Sequence, residues 1–148
     1  MRAVEQILDL ARWAPSVDNT QPWRFEIRSD SEIIVHGHDT RDHVVYDLDG
    51  WASQVSHGAL LESLSIAATR FGLRARTAVA DAFGDGRIVY RVTLESDPGG
   101  TEDPLVAVIP ARVVQRRTMR PAPLTAPITF TLRSAYFNTM TLTCGLTI

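Results

Sequence analysis

The sequence predicts an α+β domain in which an antiparallel sheet packs against a buried central helix. Three observations carry this reading. Two segments with helical apolar spacing, residues 4–14 and 52–71, alternate with two pairs of short strand-like segments. Each pair is split by a short run of turn-forming residues, as in a hairpin with antiparallel strands. The longer helical segment is apolar on most of its surface, which suits a helix enclosed by other elements. Helices alternating with hairpins indicate an α+β sandwich rather than a doubly wound parallel sheet.

The elements follow in chain order. Val4, Ile7, Leu8, Ala11 and Ala14 recur at helical spacing, with Glu5 and Asp9 on the solvent side, and Pro15 is the expected stop. Residues 16–22 are rich in turn formers. Trp23, Phe25 and Ile27 then alternate with Arg24, Glu26 and Arg28, as in a half-buried strand. Ser29-Asp30-Ser31 turns the chain into a second strand over 32–36. After a polar loop, Val55, Ala59, Leu60, Leu64, Ala67, Ala68 and Phe71 mark the central helix, and Gly72 suits its end. Strands over 75–80 and 87–95 flank Gly84-Asp85-Gly86. Residues 105–117 read as a short or kinked helix, because Pro110 interrupts them.

Composition limits the function. The chain has 148 residues, 45% of them hydrophobic, and a net charge of −2, so it can build one packed domain and presents no general polyanion-binding surface. All 15 basic residues are Arg, which removes Schiff-base lysine chemistry and a Walker-type phosphate loop. The lone Cys144 permits no internal disulfide and reads as inert. With no membrane-length apolar run and no apolar signal core, the expectation is a soluble cytoplasmic protein that binds neither membrane nor nucleic acid.

Two stretches carry chemistry. The first is Ala14-Pro15-Ser16-Val17-Asp18-Asn19-Thr20-Gln21-Pro22-Trp23. Its hydroxyl and amide side chains can both donate to and accept from a planar heterocycle, while two prolines restrict the backbone. The same residues also suit a turn that only caps the neighbouring helix and strand. The second stretch is Arg116-Arg117-Thr118-Met119-Arg120. It reads as a phosphate clamp, since guanidinium forks match phosphate oxygens, or as the solvated basic end of the preceding helix.

A helix, then Ala-Pro-Ser-x-x-Asn-x-Gln-Pro-Trp, then a strand resembles the signature of the FMN-dependent nitroreductase family. Asp39-Thr40-Arg41, Asp47 and Gly58-Ala59-Leu60-Leu61-Glu62-Ser63-Leu64 resemble that family's loop and central helix. The Arg cluster is similar to its Arg-Arg-Ser-x-Arg phosphate motif. The resemblance implies a nitroreductase-like sandwich completed by homodimerisation, with FMN at the interface. It places Ser16, Asn19 and Gln21 near the isoalloxazine or ribityl groups, and Arg116, Arg117, Thr118 and Arg120 at the phosphate. It also implies electron transfer from NAD(P)H through flavin to a nitro, quinone or similar acceptor. A non-catalytic flavin-sequestering protein and a cofactor-free dimerisation module are the alternatives.

The order of motifs is that of the family's divergent, permuted two-half members, because the Arg cluster follows the turn by about ninety residues instead of preceding it. On that reading the chain corresponds to a first half, residues 1–124, followed by an atypical tail over 125–148. That tail holds seven threonines and only one charged residue, Arg133, and is expected to pair as a strand rather than form a helix. Val17 and Asp18 stand where the family often has small or neutral polar residues. His36, His38 and His43, with Asp39, Asp42 and Asp47, could be drawn as a metal site but read as a polar loop with solvated imidazoles. His57 reads as a buried histidine satisfied by backbone.

Overall fold

The computed structural model describes residues 1–83, 85–114 and 117–118. The chain divides into two compact units, Met1–Val114 and Gln115–Ile148. The architecture below belongs to the first; of the second, only Arg117 and Thr118 are described. The Thr-rich tail, its expected strand pairing, Cys144, Arg116 and Arg120 lie outside the described residues.

Helix α1 spans Ala3–Ala11 and buries Val4, Ile7, Leu8 and Ala11, the face its spacing predicts. It stops before the expected proline: Arg12 caps it, and Trp13 and Ala14 donate to the carbonyls of Leu10 and Ala11 in tightening turns. Pro15 disfavours helical geometry at Ala14, so its effect reaches back along the chain.

Strands β1 (Trp23–Ile27) and β2 (Glu32–Gly37) form the first hairpin, and β3 (Leu73–Ala82) and β4 (Ile88–Ser96) the second. Together they make one antiparallel sheet in the order β1-β2-β4-β3. Register pairs Ile33 with Val92 and Val35 with both Phe25 and Tyr90. Trp23, Ile33, Val35, Tyr90, Val92 and Leu94 therefore share a face with α2 (Trp51–Thr69), which packs between the sheet and α1. The other face is charged, with ion pairs Glu32–Arg91 and Arg76–Glu95 across neighbouring strands. The segment expected to be partly helical over 105–117 begins in a short 3-10 helix, Pro104–Val108, started by the Asp103 carboxylate on the Leu105 N–H, and its residues 115 and 116 lie outside the described ones.

The start of α2 is held by a buried carboxylate. Its N-cap is Gly50 at φ +76°, a left-handed residue without a capping side chain. A Cβ there would also lie 3.1 Å from both Asp39 and Arg41. Asp47, only 1% exposed, supplies the cap from three residues upstream. It accepts from the Ser53 N–H at 3.2 Å and the Ser53 hydroxyl, and from the Thr40 N–H and hydroxyl, both at 2.9 Å. One carboxylate thus ties the loop before the helix to its first turn and faces the positive end of the helix dipole.

Burial pushes the Asp47 carboxyl up, but the hydrogen bonds from Ser53 and Thr40 outweigh it and hold the group well below the usual carboxylate range. Its folded-state value lies under the unfolded value of about 3.9, so its contribution is complete above that pH and is lost as acid is added below it. Asp47→Ala should cost about 2–3 kcal/mol in urea unfolding at pH 7, from the lost cap and four stranded donors. The gap between variant and wild type should narrow toward pH 3. A loss under about 0.5 kcal/mol at pH 7 would contradict this role.

Candidate functional site

The residues between α1 and β1 adopt a conformation that L-amino acids avoid. Asp18, Asn19 and Gln21 have φ of +49°, +57° and +47°. Asn and Asp tolerate the left-handed region because their short side chains bond locally, but Gln has no such allowance. Backbone of this kind persists only where its surroundings hold it.

Four anchors do so. The Ser16 Oγ accepts from the Gln21 N–H at 3.0 Å, closing the turn on itself. Asn19 and Thr20 donate backbone hydrogens to the carbonyls of Ser16 and Val17, and the Thr20 hydroxyl also donates to Val17. From α2, the Ser56 Oγ accepts from the Val17 N–H at 3.2 Å while donating to the Ala52 carbonyl. Finally, the Pro22 carbonyl accepts from the His38 N–H at 3.1 Å and lies 2.8 Å from His57 Nε2. The expectation that His57 is buried and satisfied by backbone describes this contact. Burial lowers its pKa, against smaller opposing effects of the backbone at Pro22 and His38, so the imidazole is neutral at pH 7.

The anchors leave the functional groups outward. Asn19 and Gln21 are exposed, and among the described residues their carboxamides make no hydrogen bond. The Ser16 hydroxyl hydrogen likewise has no acceptor among these residues. The Ser16–Val17 end of the turn borders a shallow groove of about 260 Å³, lined by Pro15, Ser16, Val17, Val55, Ser56, Ala59 and Val114. Its walls are mainly apolar, and Gly58 on the adjoining turn of α2 meets nothing within 4 Å of a built Cβ. Apolar walls with the Ser16 and Ser56 hydroxyl groups among them suit a flat heterocycle that needs hydrogen bonds along its rim, and Asn19 and Gln21 follow on the same turn without lining the groove.

Ser16, Asn19 and Gln21, named from the sequence, are therefore brought together on one turn. Of the four phosphate-side residues, Arg117 and Thr118 fall in the second unit, and Arg116 and Arg120 outside the described residues. Ser56 and Tyr90, whose hydroxyl lies 3.3 Å from His57 Nδ1, were not named for the site from the sequence. The signal was present in α2 itself: Ser53, Ser56 and His57 are polar residues on the buried side of a largely apolar helix, and buried polar groups need partners.

The loop histidines do not act as a set. His36 lies on β2 and pairs with Glu26 at 2.9 Å. His38 falls beyond the end of β2. Burial, with Arg24 nearby, lowers the His38 pKa. Among the described residues no three His, Cys, Asp or Glu side chains are arranged to hold a metal, and no helix is long and apolar enough to cross a membrane.

The sequence matches no protein-family model and no curated protein. The fold does have solved counterparts. A nitroreductase family protein from Clostridium difficile 630 aligns with a TM-score of 0.50 at 18% identity, over 79% of this chain and 86% of its own. Another nitroreductase family protein, from Clostridium novyi NT, aligns with a TM-score of 0.49 at 16% identity, over 66% of this chain and 73% of its own. The likeness to the Clostridium difficile protein is, at 18% identity, one of fold, and with the four-stranded antiparallel sheet and its helices it gives the chain a nitroreductase-like α+β architecture.

Proposed function

We propose that this protein binds FMN through the turn at residues 16–21 and acts as a nitroreductase-like oxidoreductase. The observation that carries the reading is the pair of uncommitted carboxamides, Asn19 and Gln21, on a rigidly anchored turn beside an apolar groove. Bound flavin would supply the redox chemistry, taking electrons from NAD(P)H and passing them to a nitro, quinone or similar acceptor. The chain's part is to seat and orient the ring. Carboxamides can meet both donors and acceptors along a flavin edge, and the Ser16 hydroxyl adds a donor. Arg116, Arg117, Thr118 and Arg120 are the proposed phosphate residues, on the strength of their spacing and type. The permuted two-half reading rests on the order of the two motifs alone.

A homodimer is part of the proposal. Trp51 and Val55 lie one turn apart on α2 and are 71% and 68% exposed; Val45, Tyr46 and Leu48 in the preceding loop are exposed as well. Large apolar side chains grouped on one side of a central helix are characteristic of a covered surface. A partner copy there would also close the open side of the groove, since Val55 belongs to both.

One observation favours a second reading, a flavin-binding protein that does not turn over. Asp18 puts a carboxylate on the same turn, and negative charge there opposes the addition of negative charge to a bound ring.

Colour and reduction separate these readings. The purified protein, loaded with FMN, should be yellow and should bleach under anaerobic NADH or NADPH. Persistent colour would favour sequestration, and failure to bind added FMN would overturn both. Arg116→Ala with Arg120→Ala should weaken FMN binding by more than about 2 kcal/mol, roughly thirtyfold, if they hold the phosphate. Unchanged affinity would sink that assignment. Val55→Glu should give a folded monomer by light scattering, because an exposed substitution alters the fold by only about 0.5 kcal/mol. A wild type that is itself monomeric would contradict the dimer.

A further inference from the structure

The groove has three walls, and they are tied together through a hydrogen bond that the chain does not make. Pro15, Ser16 and Val17 supply the first wall, Val55, Ser56 and Ala59 of α2 the second, and Val114 the third. Had α1 run on, the Val17 N–H would donate to the Trp13 carbonyl, the helical partner four residues back. Pro15 breaks the helix first and leaves both groups in want of a partner. The N–H turns to the Ser56 Oγ at 3.2 Å, which ties the turn to α2. The carbonyl accepts from the Arg112 Nη2 at 3.0 Å, which ties the end of α1 to residues 109–114.

Those residues form a strap with one fixed end. Val106 is fully buried and Ile109 belongs to the core, so the chain is held there. Beyond Ile109, Ala111 and Arg112 donate backbone hydrogens only backwards, to the carbonyls of Val108 and Ile109. Among the described residues, the bond from Arg112 to Trp13 is the one that joins residues 110–114 to a distant part of the chain. Val114, two positions past this latch, is 60% exposed, so burial does not hold it in place. A guanidinium suits the task, being always charged, and the carbonyls at a helix's end carry partial negative charge.

We propose that Arg112 is a positioning residue: by latching the strap to the end of α1 it holds Val114 as the third wall and so sets the width of the groove. Without the latch Val114 is free to swing away, and a bound ring loses an apolar neighbour. The effect on a ligand rests on the flavin reading given above; the hold on Val114 does not.

The first measurement needs no ligand. Methyl relaxation of the full chain by NMR should show Arg112→Ala loosening the Val114 methyls, while those of Val106 keep their wild-type order. Val114 methyls as ordered in Arg112→Ala as in the wild type would overturn the latch. So would an equal loosening of Val106, because the substitution would then have unsettled the fold rather than the strap.

The second measurement reads binding with two probes, FMN and riboflavin, which share the ring and differ in the phosphate. Arg112→Ala and Val114→Ala should each weaken both probes by about fivefold, the worth of a partly buried valine side chain. Combined, the two substitutions should cost no more than either alone, because Arg112 acts through Val114. Losses that multiply would overturn that route. A loss confined to FMN would make Arg112 a phosphate contact and would overturn the positioning role as well. If neither probe binds the wild type while Arg112→Ala still frees Val114, the flavin reading fails and the latch stands.

Discussion

Three left-handed residues within four positions, none of them glycine, cannot be held by a loop's own preferences. Each carries a local cost of order 1 kcal/mol, and the turn keeps its shape only because β1, β2 and α2 converge on it. The bond between His57 and the Pro22 carbonyl joins all three. Pro22 immediately precedes β1, its carbonyl also takes the N–H of His38 just after β2, and His57 rises from the first half of α2. The hairpin, the central helix and the site are thereby fixed to one another at one atom.

That dependence explains the polar end of α2. Over its second half the helix contributes Leu60, Leu64, Ala67 and Ala68 to an apolar core. Over its first half the buried positions are Ser53, Ser56 and His57, each matched to a partner: Asp47 for Ser53, the Val17 N–H for Ser56, and Pro22 with Tyr90 for His57. No buried side-chain polar atom among the described residues is left without a hydrogen bond. In a low-dielectric interior such a matched set specifies one arrangement, because any shift of the helix would strand several groups at once. The core supplies stability at one end of α2, and the polar set supplies register at the other.

The architecture was legible because its signals are local. Alternation at Trp23, Phe25 and Ile27 and the apolar spacing of 52–71 depend on neighbours along the chain, and both elements form within a few residues of where they were expected. Helix α1 was overextended by three residues, since Ala14 continues the apolar period although Pro15 already restricts its backbone. Ser16, Asn19 and Gln21 marked the turn as a candidate site from their residue types, whereas its left-handed shape was not readable. Nothing in Gln21 announces a positive φ; it is imposed from residues 35 and more positions away, Ser56 and His57 among them. Tyr90 escaped for the same reason, as its place in an alternating strand looks like any other core aromatic.

The central claim is that this anchored turn receives a flavin on its free carboxamides. Its most direct test is the nitrogen–proton NMR spectrum of the chain titrated with FMN at pH 7.5. The side-chain amide signals of Asn19 and Gln21 should shift saturably and in parallel with the backbone amides of Ser16 and Val17. Those four residues remaining unmoved at saturating FMN, or shifts confined to other parts of the chain, would contradict it.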